Sequence, residues 1–290
     1  MNLKILYRGS LSSCNYGCVY CPFAKRKESR EELEKDRHDL ERFVEWVAAR
    51  DSSDRISVFF TPWGEALIRT AYQHALIRLT NLPHVEKAAI QTNISCRLEW
   101  VEACNKEKLA LWATFHPEWV PRHQFVAKAL ELDRRGVKFS AGVVGFPRFK
   151  EEIRALRQEL PPHIYLWINA VKRELPNMSD DDLRFFDSID PLFRHNTHHY
   201  PTYGRACRAG SEVISVAGDG TVRRCHFIKQ PIGNLYDPNF GAILNPRPCT
   251  NHSCHCHIGY VHLEHLPLDN VFGRGILERI PYNMPPYKNQ

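Results

Sequence analysis

The chain has 290 residues, 43% of them hydrophobic and 25% charged, with a formal net charge of +6. That is apolar material for a large core domain plus a small appendage, and too many charges for a fibrous or membrane class. No run approaches the ~20 apolar residues that span a bilayer, and the charge falls short of a nucleic-acid binder's.

Polar residues interrupt the N-terminus too early for a signal peptide. A cytoplasmic protein with neither membrane nor nucleic-acid partners is therefore expected. In that compartment ten cysteines are metal ligands rather than disulfides. Lys25-Arg26-Lys27 with Arg30, and Arg223-Arg224, are basic clusters that read as solvated faces. The alternative is contact with a phosphate or carboxylate on a substrate.

Residues 3–8 read as a strand. Ser29 and Glu32 then form a capping box, after which Leu33, Leu40, Phe43, Val44 and Val47 recur on one helical face. A strand at 55–60, a helix near 71–79 and a strand at 88–92 follow, then a short helix around 98–104 and a strand at 109–115. Pro121 opens a helix that ends at Gly136. A strand at 137–144, a helix at 151–160 closed by Pro161-Pro162, a strand at 164–171 and a helix from Ser179 to Asp190 complete the series.

Six βα units in series predict a parallel sheet with helices outside it. The fold class is α/β, an open, partial (β/α)6 TIM-like barrel over residues 1–194, with its active site at the C-terminal strand ends. Past His195 the texture changes. Residues 213–217 and 221–225 form a hairpin across Gly218-Asp219-Gly220, within a small cysteine-rich domain at 195–265. The tail, 266–290, is expected to pack on the surface.

Cys14, Cys18 and Cys21 have the spacing C-x3-C-x2-C. Three thiolates on one short loop hold three irons of a [4Fe–4S] cube and leave the fourth open to a small molecule. Zinc and buried structural cysteines compete, but zinc sites favour paired C-x2-C elements and a fourth ligand. The run Cys14-Asn-Tyr-Gly-Cys18-Val-Tyr20-Cys21 resembles the signature loop of the radical S-adenosylmethionine (SAM) superfamily.

The resemblance implies that the open iron chelates SAM and that Tyr20 lies near its adenine. It further implies that one-electron reduction yields a 5′-deoxyadenosyl radical, fed by a reducing partner such as flavodoxin or ferredoxin. Trp63-Gly64-Glu65-Ala66 resembles the family's Gly-Gly-Glu-Pro loop, with Trp63 and Ala66 in place of a glycine and the proline. Gly64 and Glu65 are thereby implied to contact the SAM amino group. Asn93 and Ser95 after the third strand, and His116 after the fourth, resemble polar positions facing SAM. Trp167 on the sixth strand is a candidate to flank the adenine.

Cys207, Cys225, Cys249, Cys254 and Cys256 form a second group, and Gly220-x4-Cys225 on the hairpin resembles the start of a SPASM/Twitch domain. The resemblance implies an auxiliary [4Fe–4S] cluster with Cys207 and Cys225 as two ligands. Two of the remaining three complete the set. Cys254 is favoured as central, and spacing does not choose between Cys249 and Cys256. Zinc is the competing occupant, because His252, His255 and His257 lie nearby. Cys96 and Cys104 have no partners at motif spacing and read as buried apolar residues.

The function these resemblances imply is hydrogen abstraction from a small, anionic metabolite, with the auxiliary cluster assisting electron transfer. Only 13 residues precede Cys14, too few for a fused leader-binding domain, so a peptide or protein side chain is the second expectation. A metal-stabilised binding module is the non-enzymatic alternative.

Overall fold

The computed structural model describes residues 1–23, 26–275 and 277–282, with Arg274 described by its backbone alone. Lys25 of the first basic cluster, and residues 276 and 283–290 of the tail, lie outside the described residues.

β1 (Asn2–Tyr7) leads through a long loop to α1 (Arg30–Ala48). Both halves of the expected capping box are formed: Glu32 N donates to Ser29 Oγ at 3.1 Å, and Ser29 N donates to the Glu32 carboxylate at 2.8 Å. Then come β2 (Arg55–Phe60), α2 (Thr70–Thr80), β3 (Val85–Thr92), β4 (Leu109–Phe115) and α3 (Arg122–Arg134). β5 (Lys138–Gly145), α4 (Lys150–Glu159), β6 (Leu166–Ala170) and α5 (Asp180–Ile189) complete the series. Gly136 follows α3 with φ of +70°, a left-handed conformation that glycine adopts without steric cost.

β1 to β6 pair in chain order, all parallel. β2 is buried at every residue but its first, the pattern of a parallel strand covered on both faces. After α6 (Phe193–Thr197) and β7 (Tyr200–Pro201) comes the expected hairpin, β8 (Val213–Val216) and β9 (Thr221–Arg223), extended by β10 (Pro231–Asn234).

The hairpin does not stand apart from the barrel sheet. β8 pairs parallel with β1, from Lys4↔Val213 to Tyr7↔Val216, and the strands run β10-β9-β8-β1-β2-β3-β4-β5-β6. The physical reason is the free edge of β1, whose unpaired N–H and C=O groups take up a wholly buried strand. β10 and β6 are the two edges of this open sheet.

The helices cover one face, packing on Leu3, Ile5, Tyr7, Ile56, Val58 and Phe60. Leu6, Phe59, Trp112 and Trp167 point to the other face, the one a closed barrel would enclose. Six strands leave that apolar face uncovered, and the C-terminal segment covers it.

Ile258, Tyr260, Leu263, Leu268, Phe272 and Leu277 bury themselves there. They come from α7 (His257–Tyr260), α8 (Asp269–Phe272) and the connecting chain. The Arg279 guanidinium lies 4.9 Å from the Trp167 ring centre, and Lys87 meets Glu278 at 2.9 Å. The expectation of a surface tail therefore does not hold for Leu268, Phe272 and Leu277, whose apolar side chains are what the inner face lacked. Among the described residues no helix is long and apolar enough to cross a membrane.

Candidate functional site

The first cysteine loop leaves the C-terminal end of β1 and is fastened on three sides. The Asp36 carboxylate, buried on α1, accepts Ser10 N at 3.0 Å, Leu11 N at 2.8 Å and Tyr72 Oη at 3.0 Å. Glu28 accepts Ser12 N at 2.6 Å and Ser13 N at 3.2 Å. The loop after β2 runs alongside, with Trp63 N donating to Leu11 O at 3.2 Å and Glu65 N to Ser13 O at 3.1 Å.

This approach is so close that a Cβ on Gly64 would lie 1.7 Å from the Ser13 carbonyl oxygen. Only glycine fits. Gly64→Ala is expected to cost at least about 1–3 kcal/mol, as an overpacked core position does. The readout is a lower thermal unfolding midpoint; an unchanged midpoint would show that the two loops have room.

Cys18 is buried, while Cys14 and Cys21 are half-buried, and the three are not joined in disulfides. Tyr16 N donates to Cys14 Sγ at 3.4 Å. His116, just past β4, reaches the same loop: its Nδ1 lies 2.9 Å from Tyr20 Oη and 3.4 Å from Cys18 Sγ. Burial lowers His116 to about 4, which leaves the imidazole neutral at physiological pH, and burial pushes the Cys18 thiol up to about 11. Tyr20 packs on Phe146 at 5.5 Å.

Asn15, inside the motif, ties the loop to the end of β3. Its amide donates to Ser95 Oγ at 2.9 Å and accepts from Asn93 Nδ2 at 3.0 Å. Between those partners Ile94 holds φ of +50°, a strained conformation for a β-branched residue, secured by its N–H donating to Thr92 Oγ1 at 2.9 Å. Tyr16, Asn93 and Ser95 line a pocket of about 480 Å³ with Val120 and Lys128, within the range of small-molecule sites.

Glu65 is 3% exposed. Its carboxylate accepts Thr92 Oγ1 at 2.8 Å, Asn93 N at 2.5 Å and Leu67 N at 3.0 Å. Burial outweighs these donors and raises it to about 7. Glu65 thus fastens the loop after β2 to the end of β3.

Trp167 is not brought to this loop. It is a core residue whose indole donates to Ser140 Oγ at 3.1 Å and whose ring meets Trp112 edge-on at 5.1 Å. An apolar strand position carries no signal that separates a core indole from one facing a ligand.

The second cysteine group is assembled by chain pairing. β11 (Ser253–Cys254) runs antiparallel to β7, and Gly204 N donates to Cys249 O at 2.8 Å while Cys249 N donates to Arg205 O at 3.0 Å. Cys207 bridges to Leu263, and Cys225 follows the end of β9. Cys207, Cys225, Cys249 and Cys254 all line one narrow hollow together with Arg224 and Gly259. A Cβ on Gly259 would meet Cys254 Sγ at 2.7 Å, so that residue too is kept small by the site.

Cys256 does not line the hollow. Its thiol is raised by burial, against which the cations Lys172, Arg279 and Arg8 act, and it acts in turn on the neighbouring Cys254. The three histidines are engaged elsewhere: His252 stacks on Tyr203 at 5.1 Å, His255 packs on His199 at 4.8 Å and His257 lies against Trp112 at 5.4 Å. Among the described residues no three His, Cys, Asp or Glu side chains converge on a single-ion site.

Sequence reasoning missed Asn15, Glu28, Gly259 and Asp36. Asp36 alone left a signal, as an acid within the apolar stripe from Leu33 to Leu40.

No protein-family model matches this chain, and no curated protein matches it by sequence. Solved structures match it by fold. Native anSMEcpe with bound AdoMet and Kp18Cys peptide aligns at 14% identity and a TM-score of 0.57, over 84% of this chain and 80% of that one. Native anSMEcpe with bound AdoMet (S-adenosylmethionine) aligns at 14% identity and a TM-score of 0.55, over 81% of this chain and 78% of that one. At such identities the likeness is one of fold.

Proposed function

We propose that this chain is a radical SAM enzyme acting on a small anionic molecule. Cys14, Cys18 and Cys21 would hold one [4Fe–4S] cluster, and Cys207, Cys225, Cys249 and Cys254 a second. The observation that carries the reading is the three-thiol loop at the C-terminal end of β1, braced by Gly64 and Asn15 against the ends of β2 and β3. The donor set fits: three thiols from one loop supply three irons of a cubane and leave the fourth for a chelating ligand. SAM bound to that iron supplies a 5′-deoxyadenosyl radical on one-electron reduction.

The chain's own residues bind, orient and exclude water around that chemistry. Asn93 and Ser95 line the pocket beside the loop, held there by Asn15. Neutral His116 meets the loop at Cys18 and Tyr20. Glu65 spends three acceptor sites on the chain and retains one of about four for the SAM ammonium. Trp167 is no part of this assignment.

At the second site four thiols around one hollow can hold a cubane. The neighbouring histidines pack on other rings, which speaks against a mixed Cys/His zinc site. Metal analysis separates a cluster from zinc held by four cysteines. Two half-buried cations favour an anionic substrate. Arg8, next after β1, has a buried Nε with no partner, and Lys172, two residues past β6, bonds to Asn196 Oδ1 at 2.9 Å. Neither meets a carboxylate among the described residues, and burial lowers Lys172 to about 8. The peptide bound in the anSMEcpe structure speaks for a peptide substrate; the unpaired cations at the strand ends speak for a small anion.

The test is anaerobic: reconstituted protein with dithionite and SAM is expected to release 5′-deoxyadenosine, and no release rejects the reading. Glu65→Gln replaces the acceptor facing Asn93 N by a second donor and removes the charge offered to the ammonium. Charge-assisted hydrogen bonds contribute about 1.5–3 kcal/mol, so SAM affinity should fall roughly tenfold to a hundredfold with iron content unchanged. Unchanged affinity would return Glu65 to a purely structural role.

A further inference from the structure

We propose that Arg224 is the electrostatic partner of the cluster held in the four-thiol hollow, and that its guanidinium raises that cluster's reduction potential. The inference rests on the second-cluster reading above and is separable from it by experiment.

Arg223 and Arg224 read in the sequence as one solvated basic pair, but the strand separates them. Arg223 is half-exposed and donates from Nε to Lys229 O at 3.0 Å. Arg224 is 4% exposed and lines the hollow beside Cys207, Cys225, Cys249 and Cys254. One arm of its guanidinium is fixed, Nη1 donating to the Pro248 carbonyl oxygen. The other two nitrogens, Nε and Nη2, are buried and have no partner among the described residues. No carboxylate pairs with it there either.

A guanidinium carries five N–H donors and stays charged at any pH the protein meets. Burying it with two nitrogens unsatisfied and no counter-charge is costly, so the position calls for an anion with several acceptor atoms. Four thiolates outweigh the positive charge of an iron–sulfur core, so a fully ligated cluster is such an anion, and its sulfurs are the acceptors.

One-electron reduction adds a negative charge to the cluster and changes no bond of Arg224. A fixed cation and N–H donors in a dry site stabilise the reduced form more than the oxidised form, and the potential rises. The electron comes from the reducing partner or from a substrate radical.

The potential is best read in the full chain carrying Cys14→Ala, Cys18→Ala and Cys21→Ala, where only the second cluster remains. Arg224→Gln is expected to shift its midpoint to a more negative value, and Arg224→Lys, which keeps the charge, to restore most of the shift. A midpoint unchanged in Arg224→Gln, with iron retained, overturns the proposal.

Should Arg224→Gln lose the cluster, thermal stability decides. The iron-free Arg224→Gln chain should unfold at a higher temperature than the iron-free chain with Arg224, because an unpaired buried charge is gone. An equal or lower midpoint overturns the proposal. If the chain with Arg224 holds no iron in the triple-alanine background, the second-cluster reading fails instead.

Discussion

Replacing Cys14, Cys18 and Cys21 together by alanine is expected to remove half of the iron and all SAM cleavage. The reconstituted protein should hold about eight irons and eight sulfides, as two cubanes require, and the triple variant about four of each. The expectation follows from the loop's construction. Its backbone is held by Asp36, Glu28 and the Ser13–Glu65 hydrogen bond, none of which involves a thiol, while Cys14 Sγ contributes the longer contact from Tyr16 N at 3.4 Å. Alanine at the three positions therefore leaves the loop in place and removes its ligands.

A structural role for these cysteines predicts something different, a drop in stability with iron unaffected. Iron and sulfide analysis, with chromatography of 5′-deoxyadenosine, separates the two. SAM cleavage surviving in the triple variant would sink the assignment.

The parts of this site that were legible in the sequence are those that local geometry dictates. Three cysteines within eight residues must share a loop, and a strand before them and βα units after them place that loop at a sheet's C-terminal edge. Gly64 was legible by position, although its reason, the Ser13 carbonyl that leaves no space for a Cβ, is tertiary. Asn15 was not, because an asparagine between two cysteines reads as an ordinary turn residue until the end of β3 is set beside it.

The fold divides in the same way. Periodicity and caps gave the helices to within a residue or two: Ser29 forms the capping box expected of it, and the helix expected from Ser179 starts with that residue as its N-cap. Periodicity cannot say which edge a later strand joins. That β8 would continue the sheet beyond β1, and that Ile258, Tyr260, Leu263, Leu268, Phe272 and Leu277 would cover the inner face, depends on the apolar surface six strands leave open. A run such as Leu268 to Phe272 looks the same in sequence whether it lies on a surface or fills a barrel.

Cys249→Ala is expected to lose the second cluster, and Cys256→Ala to keep it. Spacing alone left these two equivalent, and pairing between segments distant in sequence favours Cys249. Residues 200–205 draw residues 249–254 alongside them through the β7–β11 bridge and the reciprocal Gly204–Cys249 and Cys249–Arg205 hydrogen bonds. That pairing brings Cys249 and Cys254 to the hollow that Cys207 and Cys225 also line. Cys256 comes at the start of α7 and does not line the hollow, although it acts on Cys254, and the cations that act on it are Lys172, Arg279 and Arg8.

In Cys249→Ala iron should fall from about eight to about four per chain, because the second cubane loses one of its four thiolates and, unlike the first loop, its irregular segment is held in place by the cluster itself. The β7–β11 segment should then become protease-sensitive, since cluster binding supplies folding energy to an otherwise irregular loop. Cleavage of SAM should persist, as the loop of Cys14, Cys18 and Cys21 is braced independently. Cys256→Ala should retain about eight irons and full SAM cleavage. The reverse pattern, iron lost with Cys256 and kept without Cys249, would exchange the two cysteines in the ligand set and leave the first cluster's assignment untouched.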